Sequence, residues 1–177
     1  MPESLPDDPL PPYSYVPGGP WPHPFSSPQG HSHGHRNAPV PPIADDVWEQ
    51  SPMFLKAVRL FNAGYYWEAH EAWESLWHAH GRHGAEADLL KALIKLAAAG
   101  VKVREGRPHG ITTHATRAGA IFRMLRKGSR PRIFGLSLQH LEEFAEAIAA
   151  NPAIDRGPDD APVHRVFAFQ IEPTKDR

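Results

Sequence analysis

Histidine and glutamate recur at helical spacing between residues 66 and 80. His70, Glu74 and His78 are four residues apart and Glu71 is adjacent, so on an α-helix all four share one flank. An imidazole and a carboxylate one turn apart can bind the same divalent ion, and such donors suit Zn, Ni, Cu or Fe. We therefore identify His70, Glu74 and His78 as candidate metal ligands. The run lacks the second histidine of the zinc-protease helix, so that motif is not matched.

The flank is open to three interpretations. It could bind a metal ion or a small molecule, or a carboxylate beside a histidine could act as a general base with a shifted pKa. In the third interpretation these groups only hydrogen-bond to neighbouring parts of the chain. A metal-assisted hydrolase would use Glu71 or Glu74 as base and His70 as ligand or acid, but no nucleophile, phosphate-binding loop or complete metal triad accompanies them. Glu68 falls on the other side of the helix and is predicted to be a solvated charge.

A second group of histidines lies near the N-terminus. His31, His33 and His35 alternate with serine and glycine, which puts three imidazoles on one side of an extended backbone. This spacing can bind copper, nickel or zinc without any fold. If the segment folds back, His23 or His31 could reach the flank of the helix and complete its site.

The composition divides the chain into three parts that must position these residues. Thirteen of the twenty prolines lie between residues 2 and 42, which excludes a helix or a central strand there. Residues 1–46 are therefore predicted to be an extended Pro/His-rich arm, and the aromatic side chains within it predict that part of it lies along the folded body. Residues 47–151 have helical periodicity, and residues 152–177 are predicted to be a short extended tail.

The middle part is predicted to be an all-α, compact antiparallel bundle of about five helices. The first helix has Ser51 as its N-cap, followed by Pro52, and the fifth has Ser137 as its N-cap. The second helix spans about 65–80, the third about 85–104, and the fourth follows Gly106 and Pro108. The third is the most apolar and should be central, with its lysine stripe (Lys91, Lys95 and Lys102) forming a wet edge or meeting Glu71 or Glu74. Residues 163–171 alternate well enough for a short strand or an extended tail.

Charge and cysteine content limit the class of protein. The 19 Lys and Arg residues nearly balance 20 Asp and Glu, so neither a nucleic-acid groove nor a charged membrane surface is expected. Without cysteine there are no disulfides and no thiolate sites. No apolar run is long enough to span a membrane, and the first 25 residues do not resemble a secretory signal. We expect a cytoplasmic protein.

The motif residues resemble those of a known family. The run from Leu60 to Gly64, followed by Tyr66, the residues Glu68 to Glu71, and the residues Trp73, Glu74 and Trp77, is similar to the signature of the domain-of-unknown-function 309 family. Residues 90–100 also resemble the family's second conserved helix. The resemblance implies a small helical bundle, mostly bacterial or archaeal, with no established activity or cofactor. The family's polar positions map onto Asn62, Glu68, His70, Glu71 and Glu74.

Two functions are carried forward from the sequence. The first is a helical domain that binds a small ligand or a divalent metal through the His/Glu cluster of the second helix. Its candidate ligand-binding residues are Asn62, Trp67, His70, Glu71, Glu74 and Trp77, and its candidate metal ligands are His70, Glu74, His78, His31, His33 and His35. The alternative is a non-enzymatic interaction or homo-oligomerisation module in which the cluster is structural.

Overall fold

The computed structural model describes residues 8–35 and 38–175, which form five α-helices, one short 3-10 helix and one small hairpin. The all-α prediction is confirmed. In chain order the elements are the 3-10 helix Asp45–Gln50, α1 Pro52–Asn62, α2 Tyr66–Ala79, α3 Ala85–Glu105, α4 Pro108–Arg126, β1 Arg132–Ile133, β2 Leu136–Ser137 and α5 Leu138–Ala150. None of the helices in the described part is long and apolar enough to cross a membrane.

The helix ends follow from local chemistry. Ser51 caps α1 by accepting a hydrogen bond from the Phe54 amide at 3.3 Å, and Ser137 caps α5 by accepting one from the His140 amide. At the end of α3, Gly106 has φ of 72°, the left-handed conformation that closes a helix at low steric cost. These three predicted boundaries are confirmed.

The core forms around α3, as its apolar composition predicts. Each helix from α1 to α5 packs mainly against the next in sequence, so α3 is enclosed by α2 and α4. Gly100 allows α3 to approach α2 closely, because a Cβ at this position would lie 2.6 Å from the Tyr66 ring. The Tyr66 hydroxyl in turn accepts hydrogen bonds from the Val166 and Phe167 amides, which holds the C-terminal tail against α2.

Two features of the C-terminal third differ from simple expectation. Residues 163–171 form no strand and lie as an extended tail, one of the two predicted forms. The antiparallel hairpin β1–β2 was not predicted. Its strands are only two residues long, too short for a periodic pattern, and Phe134 at its turn takes a φ of 50° while burying its ring in the core.

The arm lies against the bundle over most of its described length. Tyr13 is buried and stacks on Trp21 with ring centroids 5.4 Å apart. The Tyr65 hydroxyl donates to the carbonyl of Pro11, and the arm amide of Ile43 donates to Nε2 of His80. Docking is therefore made by specific polar bonds as well as by apolar contact.

Candidate functional site

Helix α2 presents its polar residues beside a well-packed face. Tyr66, Trp73 and Leu76 are almost fully buried and fix the rotation of the helix against α1 and α3. His70 and Glu74, one turn apart, then lie together at the rim of this face. The position of these two side chains is thus set by core packing.

The structure brings His70, Glu71 and Glu74 together. One nitrogen of His70 and one carboxylate oxygen of each glutamate all lie within 4.8 Å of one another. We call these three residues the His–Glu cluster. The side chains of His70 and Glu71 are 29% and 28% exposed, so the cluster is half-buried and still open to solvent.

The imidazole of His70 has no hydrogen bond at one of its nitrogens. Nδ1 is buried and has no hydrogen-bond partner in the part of the chain that the structure describes. Oε1 of Glu71 lies 3.4 Å away, which is an electrostatic contact too long and poorly directed for a hydrogen bond. A buried ring nitrogen without a partner is uncommon, and it leaves His70 able to bind another group.

A second imidazole lies near His70 and was not identified from the sequence. His114 of α4 has a buried Nδ1 that likewise lacks a partner among residues 8–35 and 38–175. Burial lowers its pKa, and the charges of Lys95, Lys102, Arg117 and His70 lower it further. His114 therefore favours the neutral form, which can accept a proton or bind a ligand. The sequence could have indicated this residue, because His114 follows the buried Ile111 by three residues on α4 and so lies on the same side of that helix.

A small hollow lies against Glu71. Its volume is about 120 Å³, and it is lined by arm residues Phe25 and His31 together with Trp67 and Lys56 of the bundle. The arm thus brings His31 to the neighbourhood of the His–Glu cluster. Both nitrogens of His31 are already engaged, Nδ1 with the Ser32 hydroxyl at 2.9 Å and Nε2 with Glu68 at 3.2 Å.

Part of the chain that includes the His–Glu cluster matches a known protein family. Residues 54–113, which include α1, α2, α3 and the start of α4, match the sequence profile of a family described as a domain of unknown function, DUF309. The match covers 60 of the 177 residues, about a third of the chain, and we refer to this matched stretch as the DUF309 domain. The resemblance noted in the sequence is thereby confirmed. No curated protein matches the chain.

The His–Glu cluster lies wholly within the DUF309 domain, whereas the arm lies outside the matched stretch and His114 is one residue beyond it. The family description assigns no activity. A function for this DUF309 domain must therefore be inferred from its own side chains.

Glu68 is the DUF309-domain residue whose predicted position was wrong. It is only 7% exposed, and its carboxylate accepts hydrogen bonds from the Ser14 hydroxyl and the Tyr15 amide, both at 2.9 Å. With His31 also at 3.2 Å, three groups of the arm converge on one buried acid. Its side of α2 would face water if the bundle stood alone, but the arm covers it.

Four other candidate residues have partners of their own outside the cluster. Asn62 uses both ends of its amide on the backbone of Ile171, at 2.9 Å and 2.8 Å. Trp67 is covered by arm rings, with Tyr15 at 5.4 Å between centroids. His78 is exposed and accepts a hydrogen bond from Nε of Arg82. Trp77 lies 5.7 Å below the guanidinium of that same arginine.

The arm histidines do not form a row of ligands. Residues 31–34 adopt a turn, so alternate side chains no longer share one side. Nδ1 of His33 lies 3.0 Å from the carbonyl of Phe25, and Nδ1 of His35 lies 3.1 Å from the carbonyl of His33. His23 packs on the Trp67 ring and accepts hydrogen bonds from the Phe25 and Ser26 amides.

The lysine stripe of α3 also does not meet the cluster. Lys91 is exposed, whereas Lys95 and Lys102 are partly buried. Lys102 pairs with Glu105 one turn later at 2.5 Å. Burial lowers the pKa of Lys95, and the charges of Arg117 and Lys91 add to this effect. No ion pair joins these lysines to Glu71 or Glu74 within the described ranges, so both acids keep their oxygens for another cation.

Proposed function

We propose that this DUF309 domain binds a divalent transition-metal ion through His70, Glu71 and Glu74. The observation that carries the proposal is the approach of one nitrogen and two oxygens to within 4.8 Å of one another on a half-buried helix flank. A mixed nitrogen and carboxylate donor set favours ions of the Zn, Fe, Ni or Cu class over Ca²⁺, which takes oxygen ligands alone.

The separation of the donor atoms is close to what one ion requires. Bonds of zinc to histidine nitrogen or carboxylate oxygen are about 2.0–2.2 Å, so two donors on one tetrahedral ion are about 3.3–3.6 Å apart. The cluster therefore needs to contract by up to about 1.2–1.5 Å from its outer limit of 4.8 Å to hold a tetrahedral ion. Small torsions of the two flexible glutamates supply this without moving α2.

Three protein ligands leave at least one coordination position for water or a small molecule. The hollow of about 120 Å³ is lined by Glu71, although not by His70 or Glu74, and is the nearest described space to the cluster in which such a group would lie beside Glu71. The pKa of His114 is lowered chiefly by burial and also by the charge of His70, and its buried Nδ1 has no partner among the described residues. The proposal therefore includes a small ligand bound together with the ion.

The test is metal binding by untagged, chelator-treated protein, measured by calorimetry and by thermal unfolding. One ion per chain is expected. A free concentration 100-fold above the Kd should stabilise the fold by about 2.7 kcal/mol, which raises the Tm by roughly 5–10 °C. His70→Ala and Glu74→Ala should each abolish this rise.

His78→Ala is the matched control, because His78 lies on the same helix two turns from His70 but outside the cluster. It should bind metal like the unmodified chain. A double variant, His33→Ala with His35→Ala, removes exposed imidazoles that bind metal without a fold. Binding that survives His70→Ala and is lost in this double variant would overturn the proposal, as would the lack of any stoichiometric ion.

A further inference from the structure

A wide cleft lies where the arm passes the C-terminal end of α3. Its volume is about 800 Å³, and its walls are arm residues 16–21, residues 104–107 at the end of α3, and residues of the 156–161 loop. It is separate from the His–Glu cluster, none of whose residues lines it. We call it the arginine cleft.

Three cations line the arginine cleft: Arg104, Arg107 and Arg156. None of their side chains makes a hydrogen bond or an ion pair with any other residue in ranges 8–35 and 38–175. The cleft is also lined by two acids. The charge of Glu105 is balanced by Lys102 at 2.5 Å, although its buried Oε2 makes no hydrogen bond to a described residue, and Asp159 is the other negative charge. The lining carries an excess of unpaired positive charge.

Arg104 is the least satisfied of the three. Its Nε and Nη1 atoms are buried, and no described residue accepts a hydrogen bond from them. Burial lowers its pKa, and the charges of Tyr66, Asp155 and Glu68 act at longer range in the opposite direction. An unpaired charge taken out of water is costly, so this guanidinium would gain from a nearby anion.

The arm contributes a neutral donor to the same cleft. The indole Nε1 of Trp21 is buried and has no acceptor among the described residues. The ring is held in place, because it stacks on Tyr13, whose hydroxyl donates to the carbonyl of Pro22. An indole N–H can only donate, so its natural partner is an acceptor brought by a ligand.

Arg156 is held against the end of α3. A Cβ on Gly106 would lie 2.4 Å from Nη2 of Arg156, so the guanidinium rests directly on the glycine. The partial negative charge at the helix end attracts Arg156 but leaves its outward N–H groups available. Planar guanidinium groups recognise oxyanions with paired hydrogen bonds.

We propose that the arginine cleft binds the phosphate or carboxylate group of a small molecule, with Arg104 and Arg156 as cationic partners and Trp21 as a neutral donor. Arg107, exposed at the cleft rim, adds charge that attracts the ligand. This site is independent of the metal proposed for the His–Glu cluster.

The test uses chelator-treated protein, so that no probe can bind through a metal. Sodium phosphate, pyrophosphate and citrate are titrated at constant ionic strength, with sodium chloride as the reference, and binding is followed by calorimetry and by Tm. Saturable 1:1 binding of at least one probe is expected. A stronger response to phosphates or to citrate identifies the group that the cleft prefers.

Arg104→Met keeps the aliphatic stem and removes the charge, so it should weaken binding at least tenfold. It should also leave the Tm without anion unchanged or higher, because an unpaired buried charge is removed. Arg156→Gln, at an exposed position, should weaken binding as well and serves if Arg104→Met does not fold. Trp21→Phe should weaken binding to a smaller extent.

Arg82→Gln is the matched control, since Arg82 is exposed and far along the chain from the arginine cleft. It should bind the probes like the unmodified protein. No saturable binding of any probe up to about 10 mM would overturn the proposal. It would also be overturned if Arg104→Met and Arg156→Gln both bound the probes as tightly as the unmodified protein. An equal loss in Arg82→Gln would indicate unspecific charge attraction and overturn it too.

Discussion

Replacing Glu68 with alanine should release the arm from the bundle. Glu68 is buried, and its two oxygens receive the Ser14 hydroxyl, the Tyr15 amide and Nε2 of His31. All three partners come from the arm, about 40 to 50 residues earlier in the chain. The carboxylate of Glu68 therefore joins the arm to α2, although the two segments are far apart in sequence.

The magnitude follows from the number and type of these bonds. A hydrogen bond to a charged group contributes about 1.5–3 kcal/mol, and removing one partner of a buried charged pair costs about 3–5 kcal/mol. The full sum is not expected, because the arm can leave and let water satisfy its donors. We expect Glu68→Ala to lower the free energy of unfolding by roughly 3–5 kcal/mol if the arm stays docked, and by less if it undocks.

Limited proteolysis of the arm and hydrogen exchange at the Tyr15 amide distinguish these cases. Faster cleavage and faster exchange are expected in Glu68→Ala. Ser14→Ala removes one hydrogen bond to the charged carboxylate and should cost about 1.5–3 kcal/mol, while Glu143→Gln, at an exposed acid on α5, should change neither observable. An arm that stays protected in Glu68→Ala, with the unfolding free energy unchanged within about 0.5 kcal/mol, would refute this account of docking.

Three further outcomes are expected. Gly100→Ala should lower the free energy of unfolding by up to about 2 kcal/mol in urea, because its Cβ would meet the Tyr66 ring at 2.6 Å and overpacking outweighs the gain in helix propensity. Gly119→Ala, whose Cβ would find only an ordinary contact at 3.6 Å, should instead stabilise the fold by up to about 1 kcal/mol. Burial lowers the pKa of His80, whose Nε2 accepts a hydrogen bond from the Ile43 amide in the folded protein. The unfolded chain therefore binds more protons than the folded one below pH about 6.5, and the free energy of unfolding should fall as the pH decreases through that value. Urea unfolding at several pH values should show a smaller decrease in His80→Gln. Self-association stays a prediction, and light scattering with and without the arm checks it.

The sequence could predict the bundle because its helices carry local signals. Ser51 with Pro52, and Ser137 before α5, act through bonds to amides three residues away, so no knowledge of the rest of the fold is needed. Gly106 ends α3 for an equally local reason. The hairpin β1–β2 could not be found in this way, because its conformation at Phe134 depends on a core that distant segments build.

From the sequence alone, only those side-chain groupings that lie within a single helix could be predicted. The spacing of His70 and Glu74 places them together, and the structure does bring them and Glu71 within 4.8 Å. Glu68 was misjudged, since a helical wheel shows which residues share a side but not what covers that side. His114 and the arginine cleft require contacts between segments far apart in sequence, which periodicity does not contain.

The two proposed sites depend on the arm to different degrees, and this provides a test that links them. All three residues of the His–Glu cluster belong to α2, whereas the arginine cleft has residues 16–21 of the arm as one wall. Releasing the arm through Glu68→Ala should therefore leave metal binding within a few-fold of the unmodified protein and strongly weaken anion binding. Loss of both would mean that α2 itself needs the arm for its shape. Retention of both, with the arm shown by proteolysis to be released, would contradict the assignment of Trp21 to the arginine cleft.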